Sequence, residues 1–90
     1  MKFERFSNPF HPGEILLEEF LQPLGFTQRG FARKLDWTPR KLNEIIKAKR
    51  NISAATAIDL ARALDTTPEF WLNLQQAWDL NQAYKLRKVS

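Results

Sequence analysis

The residues of this 90-residue chain best suited to chemistry lie on one face of a short predicted helix near its centre. Successive helical residues step by about 100°, so Leu42, Ile45 and Ile46 point together and form an inward apolar face. The opposite face is polar, and its side-chain types suit the edges of DNA bases: Arg pairs with guanine, Asn with adenine, and Glu accepts from cytosine. The first residues of such a helix usually read the bases. The sequence therefore predicts base contacts from Arg40, Lys41, Asn43 and Glu44.

A second interpretation is open for two of these residues. Arg40 and Glu44 are four positions apart, so they can form an ion pair on a solvated helix surface without any ligand. A Glu side chain in a DNA groove must also find a cytosine amino group, because otherwise it repels the phosphates.

Positive charge is concentrated around this helix. Residues 27–50 hold eight bases and two acids, a net charge of +6, whereas the other 66 residues carry −2. Such a distribution is typical of a surface that binds nucleic acid, although a solvated helical face has the same composition. Phosphate contacts set register and salt dependence rather than sequence choice. We expect them from Gln28, Arg29, Arg33, Thr38, Lys47, Lys49 and Arg50.

Two short helices and a tight turn must position these side chains. Apolar spacing and prolines, with helix caps at Thr27, Thr38, Ser53 and Thr67, predict an all-α chain of five helices. No alternating apolar run indicates a strand. The second and third helices are separated by a very short break, which gives helix-turn-helix dimensions. Asp36 stands where such a turn usually needs glycine, and Asp tolerates left-handed backbone better than most residues. The predicted helices span about residues 13–22, 28–35, 39–47, 54–64 and 68–86.

The last predicted helix is apolar over most of its circumference. One core-facing stripe covers little more than about 100°, so part of this helix needs another cover. One interpretation is a twofold dimer interface anchored by Trp71, Leu74 and Trp78. The alternative is that Phe3, Phe6 and Phe10 of the N-terminal arm fold back over it.

Composition argues against several classes of protein. Without cysteine the chain forms neither disulfides nor cysteine-ligated zinc. The single histidine, His11, lies beside prolines and is expected in a turn. No glycine-rich phosphate loop or metal-ligand spacing is present, so we expect no catalysis, metal or cofactor. No apolar run reaches the roughly 18 residues of a membrane span, and we expect a cytoplasmic protein.

Three segments resemble the HigA-type antitoxins, also described as virulence-associated protein I-like regulators within the Xre (lambda-repressor-like) helix-turn-helix group. They are His11–Leu16 (HPGEIL), Asn43–Ile46 with Lys49 and Arg50, and Thr67–Gln75 (TPEFWLNLQ). The pairing of the first with the third is the specific part of the resemblance, since the central helix-turn-helix is shared more widely.

The resemblance spans about residues 10–84 and implies a five-helix lambda-repressor-like fold. The sequence pattern itself divides the chain into an N-terminal arm over residues 1–11, a helix-turn-helix domain over 12–66 and a C-terminal helix over 67–90 that we expect to dimerise. The resemblance also implies a homodimer that binds palindromic operator DNA, represses its own operon at the nucleoid and neutralises a HigB/RelE-like toxin that cleaves messenger RNA.

Site residues also follow from the resemblance by position. Gln28 matches the family's phosphate-contacting Gln, and Arg40 and Lys41 match base- or backbone-contacting positions. Asn43 and Glu44 match the next exposed turn.

The sequence departs from the family pattern at two positions. Asp36 replaces the usual turn glycine, and Pro39 stands where related repressors carry a reading side chain, so that contact is lost. Two alternatives to an antitoxin are an orphan regulator of the same fold and a protein-interaction module. The charge distribution argues against the module, and only the neighbouring gene separates antitoxin from orphan regulator.

Overall fold

The structure is a computed structural model that describes residues 9–88, with side chains for residues 9–87. Phe3 and Phe6, which the arm interpretation invokes, lie outside the described residues. The described residues form five helices and no strand, and each helix begins and ends within two residues of its predicted bounds. The helices are α1 (residues 12–24), α2 (Gln28–Lys34), α3 (Pro39–Ile46), α4 (Ala54–Leu64) and α5 (Pro68–Lys88).

The first helix changes its winding to accommodate a proline. It starts as Pro12–Ile15, continues as a π-helix over Leu16–Leu21 and closes with Gln22–Leu24. Pro23 has no N–H, and its ring would clash with the carbonyl four residues earlier in a regular α-helix. The wider winding relieves this conflict, so α1 continues past residue 22 and ends at Gly25, whose φ is 78°.

Side-chain caps start the other four helices. In each, a hydroxyl oxygen accepts a hydrogen bond from the backbone N–H three residues later, at 2.9 to 3.2 Å. Such a cap satisfies one of the free N–H groups of the first turn and stabilises the helix by about 1 kcal/mol. The predicted caps are confirmed at Thr27, Thr38, Ser53 and Thr67.

One hydrophobic core joins the five helices. Leu42 and Ile45 of α3 are fully buried, as predicted, and Ile46 is half-buried beside them. The α5 helix packs mainly against α4 and sends its first turns into the same core. The largest fully buried side chains are Leu16, Leu21, Phe31, Leu42, Ile45, Leu60 and Trp71.

Within residues 9–88, three non-glycine residues at the ends of helices have left-handed backbone. Asp36 (φ 59°) forms the turn between α2 and α3, which confirms the predicted role of this residue. Ala48 (φ 62°) follows α3, and Asp65 (φ 57°) follows α4. Alanine gains nothing from this conformation, since it lacks the polar side chain with which Asp bonds locally.

Candidate nucleic-acid interface

The α2–α3 pair forms a helix-turn-helix, and contacts with the hydrophobic core fix the conformation of its turn. Asp36 makes the left-handed bend, and the next residue, Trp37, is nearly buried in the core. Its indole Nε1–H donates a hydrogen bond to Oδ2 of Asp59 on α4 at 3.1 Å. The turn is therefore attached to the domain core, which fixes the direction in which α3 leaves it.

The start of α1 supports the far end of α3. His11 caps α1, with its Nδ1 accepting a hydrogen bond from the backbone N–H of Gly13 at 2.9 Å. Gly13 lies against the last turn of α3, where a Cβ atom would overlap the carbonyl oxygen of Ile45. The HPGE segment thus brings α1 into close contact with α3, at a distance that only glycine permits. This contact sets the position of α3.

The outward face of α3 carries the predicted charged residues as one network. Arg40 is highly exposed, and its Nε donates to Oε2 of Glu44 at 3.1 Å. Arg50, beyond the helix, donates from Nε and Nη2 to Oε1 of Glu44 at 3.0 and 2.8 Å. Hydrogen bonds from Arg50 and then from Arg40 lower the pKa of the Glu44 carboxyl. In the free protein, Glu44 therefore pairs with two arginines, and the ion-pair interpretation holds for Arg40 and Glu44.

A second contact joins α3 to the start of α2. The side-chain amide Nδ2 of Asn43 donates to Oε1 of Gln28 at 3.4 Å, a long and weak hydrogen bond. Gln28 is the first residue of α2, where backbone N–H groups are free. The structure thus brings the predicted base-contacting Asn43 and the predicted phosphate-contacting Gln28 onto one surface.

Lys41 lies apart from this network. Its Nζ is 4.3 Å from the ring centre of Trp37, a cation–π contact on the turn side of α3. The hydroxyl of Thr38 already accepts from the N–H of Lys41 at 3.1 Å as the helix cap. Both residues therefore have a structural role in the free protein, beside their predicted DNA contacts.

The remaining predicted phosphate contacts are solvent-exposed cations on both sides of α3. Arg29 and Arg33 lie on α2, whereas Lys47 and Lys49 follow the end of α3. Together with Arg50, they are exposed positive charges that precede and follow α3 along the chain. An anionic, extended ligand is the one this arrangement attracts.

The predicted anchors of α5 need one correction. Trp71 is 0% exposed and its indole N–H donates to Oγ1 of Thr66 at 2.8 Å, so it belongs to the core of its own chain and is not an interface anchor. Leu74 is half-buried against that core, and Trp78 packs edge-on against His11 with ring centres 5.3 Å apart. The apolar residues of α5 that do face outward are Phe70, Leu80, Tyr84 and Leu86.

The single histidine is a buried structural residue. His11, which the sequence places in the arm, is 3% exposed and caps α1. Burial lowers the pKa of its imidazole, and the nearby Asp79 carboxylate raises it in part. Its Nε2 has no hydrogen-bond partner within the described residues. In the same part of the chain, no group of three or more His, Cys, Asp or Glu is arranged to hold a metal ion.

Sequence reasoning missed two residues that contact α3 and the loop after it. Gly13 is the first, and Gln75, whose amide bonds the loop after α3, is the second. Both lie in the HPGEIL and TPEFWLNLQ segments, so the family resemblance pointed to them without giving a physical reason. Gly13 has no side chain and the polar side chain of Gln75 is buried, so neither resembles an exposed binding residue.

The fold and this surface define a helix-turn-helix domain, and comparisons with known proteins agree. The chain matches the helix-turn-helix family over residues 17–71. Virulence-associated protein I of Dichelobacter nodosus is 44% identical over 73 residues, covering 81% of this chain and 68% of that protein. Antitoxin HigA-1 of Vibrio cholerae is 39% identical over 80 residues, covering 86% and 75%.

A solved relative has the same fold. The Pseudomonas aeruginosa antitoxin HigA, solved with the higBA promoter, superposes with a TM-score of 0.86 at 41% identity, covering 90% of this chain and 88% of that one. The chain therefore belongs to the helix-turn-helix family, within the group that includes the HigA antitoxins and virulence-associated protein I. This family consists of DNA-binding proteins rather than enzymes, as the sequence predicts. None of the helices among residues 9–88 combines the length and apolarity needed to cross a membrane.

Proposed function

We propose that this protein is a sequence-specific DNA-binding antitoxin. As a homodimer it binds a palindromic operator, represses its own operon in the bacterial cytoplasm and neutralises a HigB/RelE-like toxin. The observation that carries the proposal is the outward face of α3, which is polar, wholly or partly exposed, and preceded and followed along the chain by exposed cations. A solved relative at 41% identity, described with its promoter DNA, supports the same ligand for this chain.

The contacts divide into reading and positioning groups. Arg40, Asn43 and Glu44 present guanidinium, amide and carboxylate groups that match the hydrogen-bonding edges of bases in the major groove. On binding, the DNA replaces the pairing of Arg40 with Glu44. Lys41 is the fourth proposed base contact. The proposed phosphate contacts, which set orientation and salt dependence, are Gln28, Arg29, Arg33, Thr38, Lys47, Lys49 and Arg50.

The outer side of α5 supports dimerisation. Leu80, Tyr84 and Leu86 are 40%, 55% and 71% exposed, which is unfavourable for apolar side chains unless another surface covers them. Phe10 of the arm is itself 57% exposed and does not provide a full cover. Leu74 and Trp78 lie on the same helix and are proposed to border this interface. A second copy would place two α3 helices about 34 Å apart, one helical turn of DNA.

The DNA half of the proposal is tested on the duplex upstream of the gene and on a duplex of scrambled sequence. Arg40→Ala and Asn43→Ala should each lower the preference for the upstream duplex, by about 1–3 kcal/mol per lost base contact. The control, Lys49→Ala, should weaken both duplexes equally, because it removes a phosphate contact. Unchanged preference in both α3 variants contradicts the proposed reading face.

The toxin half requires the neighbouring gene. The chain is expressed with a tag from its native operon and purified, and co-purifying protein is identified by mass spectrometry. A small basic protein encoded next to it, which arrests growth when expressed alone and not when this chain is co-expressed, is the expected result. Purification of the chain alone from an operon that lacks such a frame identifies an orphan regulator instead.

A further inference from the structure

We propose that Gln75, a buried residue of α5, is a positioning residue for the DNA interface: its amide fixes the loop that carries Lys49 and Arg50 towards phosphate. This inference rests on the proposed function, because it assumes that these cations contact DNA. It adds a residue outside the helix-turn-helix, more than 20 positions from the loop it bonds.

The amide of Gln75 makes three hydrogen bonds in a nearly closed environment. The residue is 5% exposed. Its Oε1 accepts from the backbone N–H of Ile52 at 2.7 Å, the shortest of the three bonds. Its Nε2 donates to Oδ1 of Asn51 at 3.1 Å and to Oδ1 of Asp79 at 3.0 Å. Two of the three bonds therefore run to the loop between α3 and α4.

The pattern of donors and acceptors requires a carboxamide. Position 75 must accept one hydrogen bond from a backbone N–H and donate two to oxygen atoms. Glutamine does both, whereas an ionised glutamate could accept from Ile52 but would face two acceptor oxygens. An apolar side chain of the same length would leave the N–H of Ile52 buried without a partner, which destabilises the loop conformation.

The same loop is held from its other end by α3. The backbone N–H of Lys49 donates to the carbonyl oxygen of Glu44 at 2.8 Å, and the Glu44 carboxylate binds the Arg50 side chain. Ile52, at the opposite end, is buried in the core. Lys49 and Arg50 thus lie between two attachments, one to the recognition helix and one to Gln75.

Fixing the loop before binding matters because each cation must otherwise be ordered when DNA arrives. Gln75 removes that requirement for the main chain of the loop while leaving Lys49 exposed. It also joins the loop directly to α5, the helix whose outer side is proposed to dimerise.

The test uses the full-length protein and the salt dependence of DNA binding. The slope of the logarithm of affinity against the logarithm of salt concentration counts the phosphates that cations neutralise. Gln75 is uncharged and buried, so its replacement changes this slope only through the cations it positions. The variant is Gln75→Met, of similar length, and the matched control is Gln22→Met, at an exposed glutamine of α1 that lies outside both proposed interfaces.

Binding is measured by fluorescence anisotropy on a duplex that the wild-type protein selects from a random-sequence pool. All variants are assayed at a temperature where circular dichroism shows them fully folded. We expect Gln75→Met to make the slope shallower by about 1 to 2 and to weaken binding, with Gln22→Met unchanged. A double variant with Arg50→Ala should lose less than the sum of the single losses, since both act on the same contact.

Two results overturn the inference. One is a Gln75→Met protein that is less stable to urea yet keeps the wild-type slope, because its role is then structural only. If Gln75→Met does not fold, the decision passes to Asn51→Ala, an exposed and uncharged position that removes the same bond from the loop side. An unchanged slope there also overturns the inference. If the wild type itself binds no duplex with a salt-dependent affinity, the proposed function fails first.

Discussion

The α3 and α5 helices have the same N-terminal cap but opposite kinds of outer face. Each starts with Thr-Pro, and in each the Thr hydroxyl accepts from the N–H three residues later at 3.1 Å. The α3 helix then separates apolar from polar residues cleanly, with Leu42 and Ile45 fully buried and Arg40 exposed. The α5 helix has no such separation, because its outer side remains apolar at Leu80 and Tyr84.

The difference indicates what each helix meets. A polar, charged outer face gains from a polar, charged ligand and is stable in water without one, and α3 shows this by pairing its own charges. An apolar outer face gains only from being covered. The two outer faces therefore fit the two partners that we propose for this chain: DNA at α3 and a second copy of the chain at α5.

The largest effect is expected from disrupting the contact between α1 and α3. Gly13→Ala places a Cβ atom on the carbonyl oxygen of Ile45, so that α1 or α3 must shift. Overpacking against a rigid main chain typically destabilises by up to about 3 kcal/mol. We expect a loss of this size in the free energy of unfolding, measured with urea, and a matching loss of DNA binding.

The matched control for that variant is Gly30→Ala. A Cβ atom at position 30 meets only the capping hydroxyl of Thr27, at 2.9 Å, which must shift. The preference of a helix for alanine over glycine, up to about 1 kcal/mol, offsets that cost. The control should stay close to the wild type. A Gly13→Ala protein as stable as the wild type contradicts the account of how α3 is held.

The next largest effect tests the role of α5 independently of α3. Leu80→Glu puts a charge on the apolar side of α5 without touching α3, so it should weaken self-association by roughly 30-fold, about 2 kcal/mol at an interface centre. Sedimentation equilibrium measures the change, and the control is Gln22→Glu, which adds the same charge at an exposed position of α1. Self-association that survives Leu80→Glu moves the interface elsewhere.

A smaller effect, of opposite sign, concerns the end of α3. Ala48 has a φ of 62°, and glycine adopts left-handed backbone without the steric penalty of about 1 kcal/mol. Ala48→Gly should therefore raise the free energy of unfolding by about 0.5–1 kcal/mol. Ala55→Gly, on the exposed side of α4, should lower it by about as much. Destabilisation by both variants contradicts the left-handed conformation of Ala48.

The smallest effect is a pH dependence at the contact between α1 and α5. Burial lowers the pKa of His11 from its ordinary value of 6.5, so the unfolded chain binds a proton there more readily than the folded one. The contribution of uncharged His11 to the free energy of unfolding is therefore fully present above pH 6.5. It is lost as the pH falls from the unfolded pKa towards the folded pKa.

The measurement is urea unfolding from about pH 8 to about pH 5. The comparison is His11→Asn, which keeps an acceptor for the N–H of Gly13 but does not titrate. The wild type should lose more stability than this variant over that range. Equal losses exclude His11 as their source.

Helix positions were predictable because local signals set them. The Thr and Ser caps, the apolar spacing of α3 and the left-handed tolerance of Asp36 all act within a few residues, and each was confirmed. The resemblance to HigA antitoxins added the family, which the comparisons confirm.

What escaped prediction depends on packing between distant segments. Trp71 was proposed as an interface anchor, yet the approach of α1 and α4 buries it, and no pattern within α5 distinguishes it from Leu80. Gly13 and Gln75 act on α3 and its loop through contacts across the chain. Such a contact can be predicted only when the relative positions of the two helices are known.

A hydroxyl-radical footprint of the protein on its selected duplex tests the central claim most directly. Two copies that each insert α3 into a major groove should protect two patches on one side of the DNA, about 10 base pairs apart, and Leu80→Glu should remove both together at protein concentrations where the wild type protects them. A single protected patch, or two patches that Leu80→Glu leaves unchanged, would contradict the account of a symmetric pair reading DNA through α3.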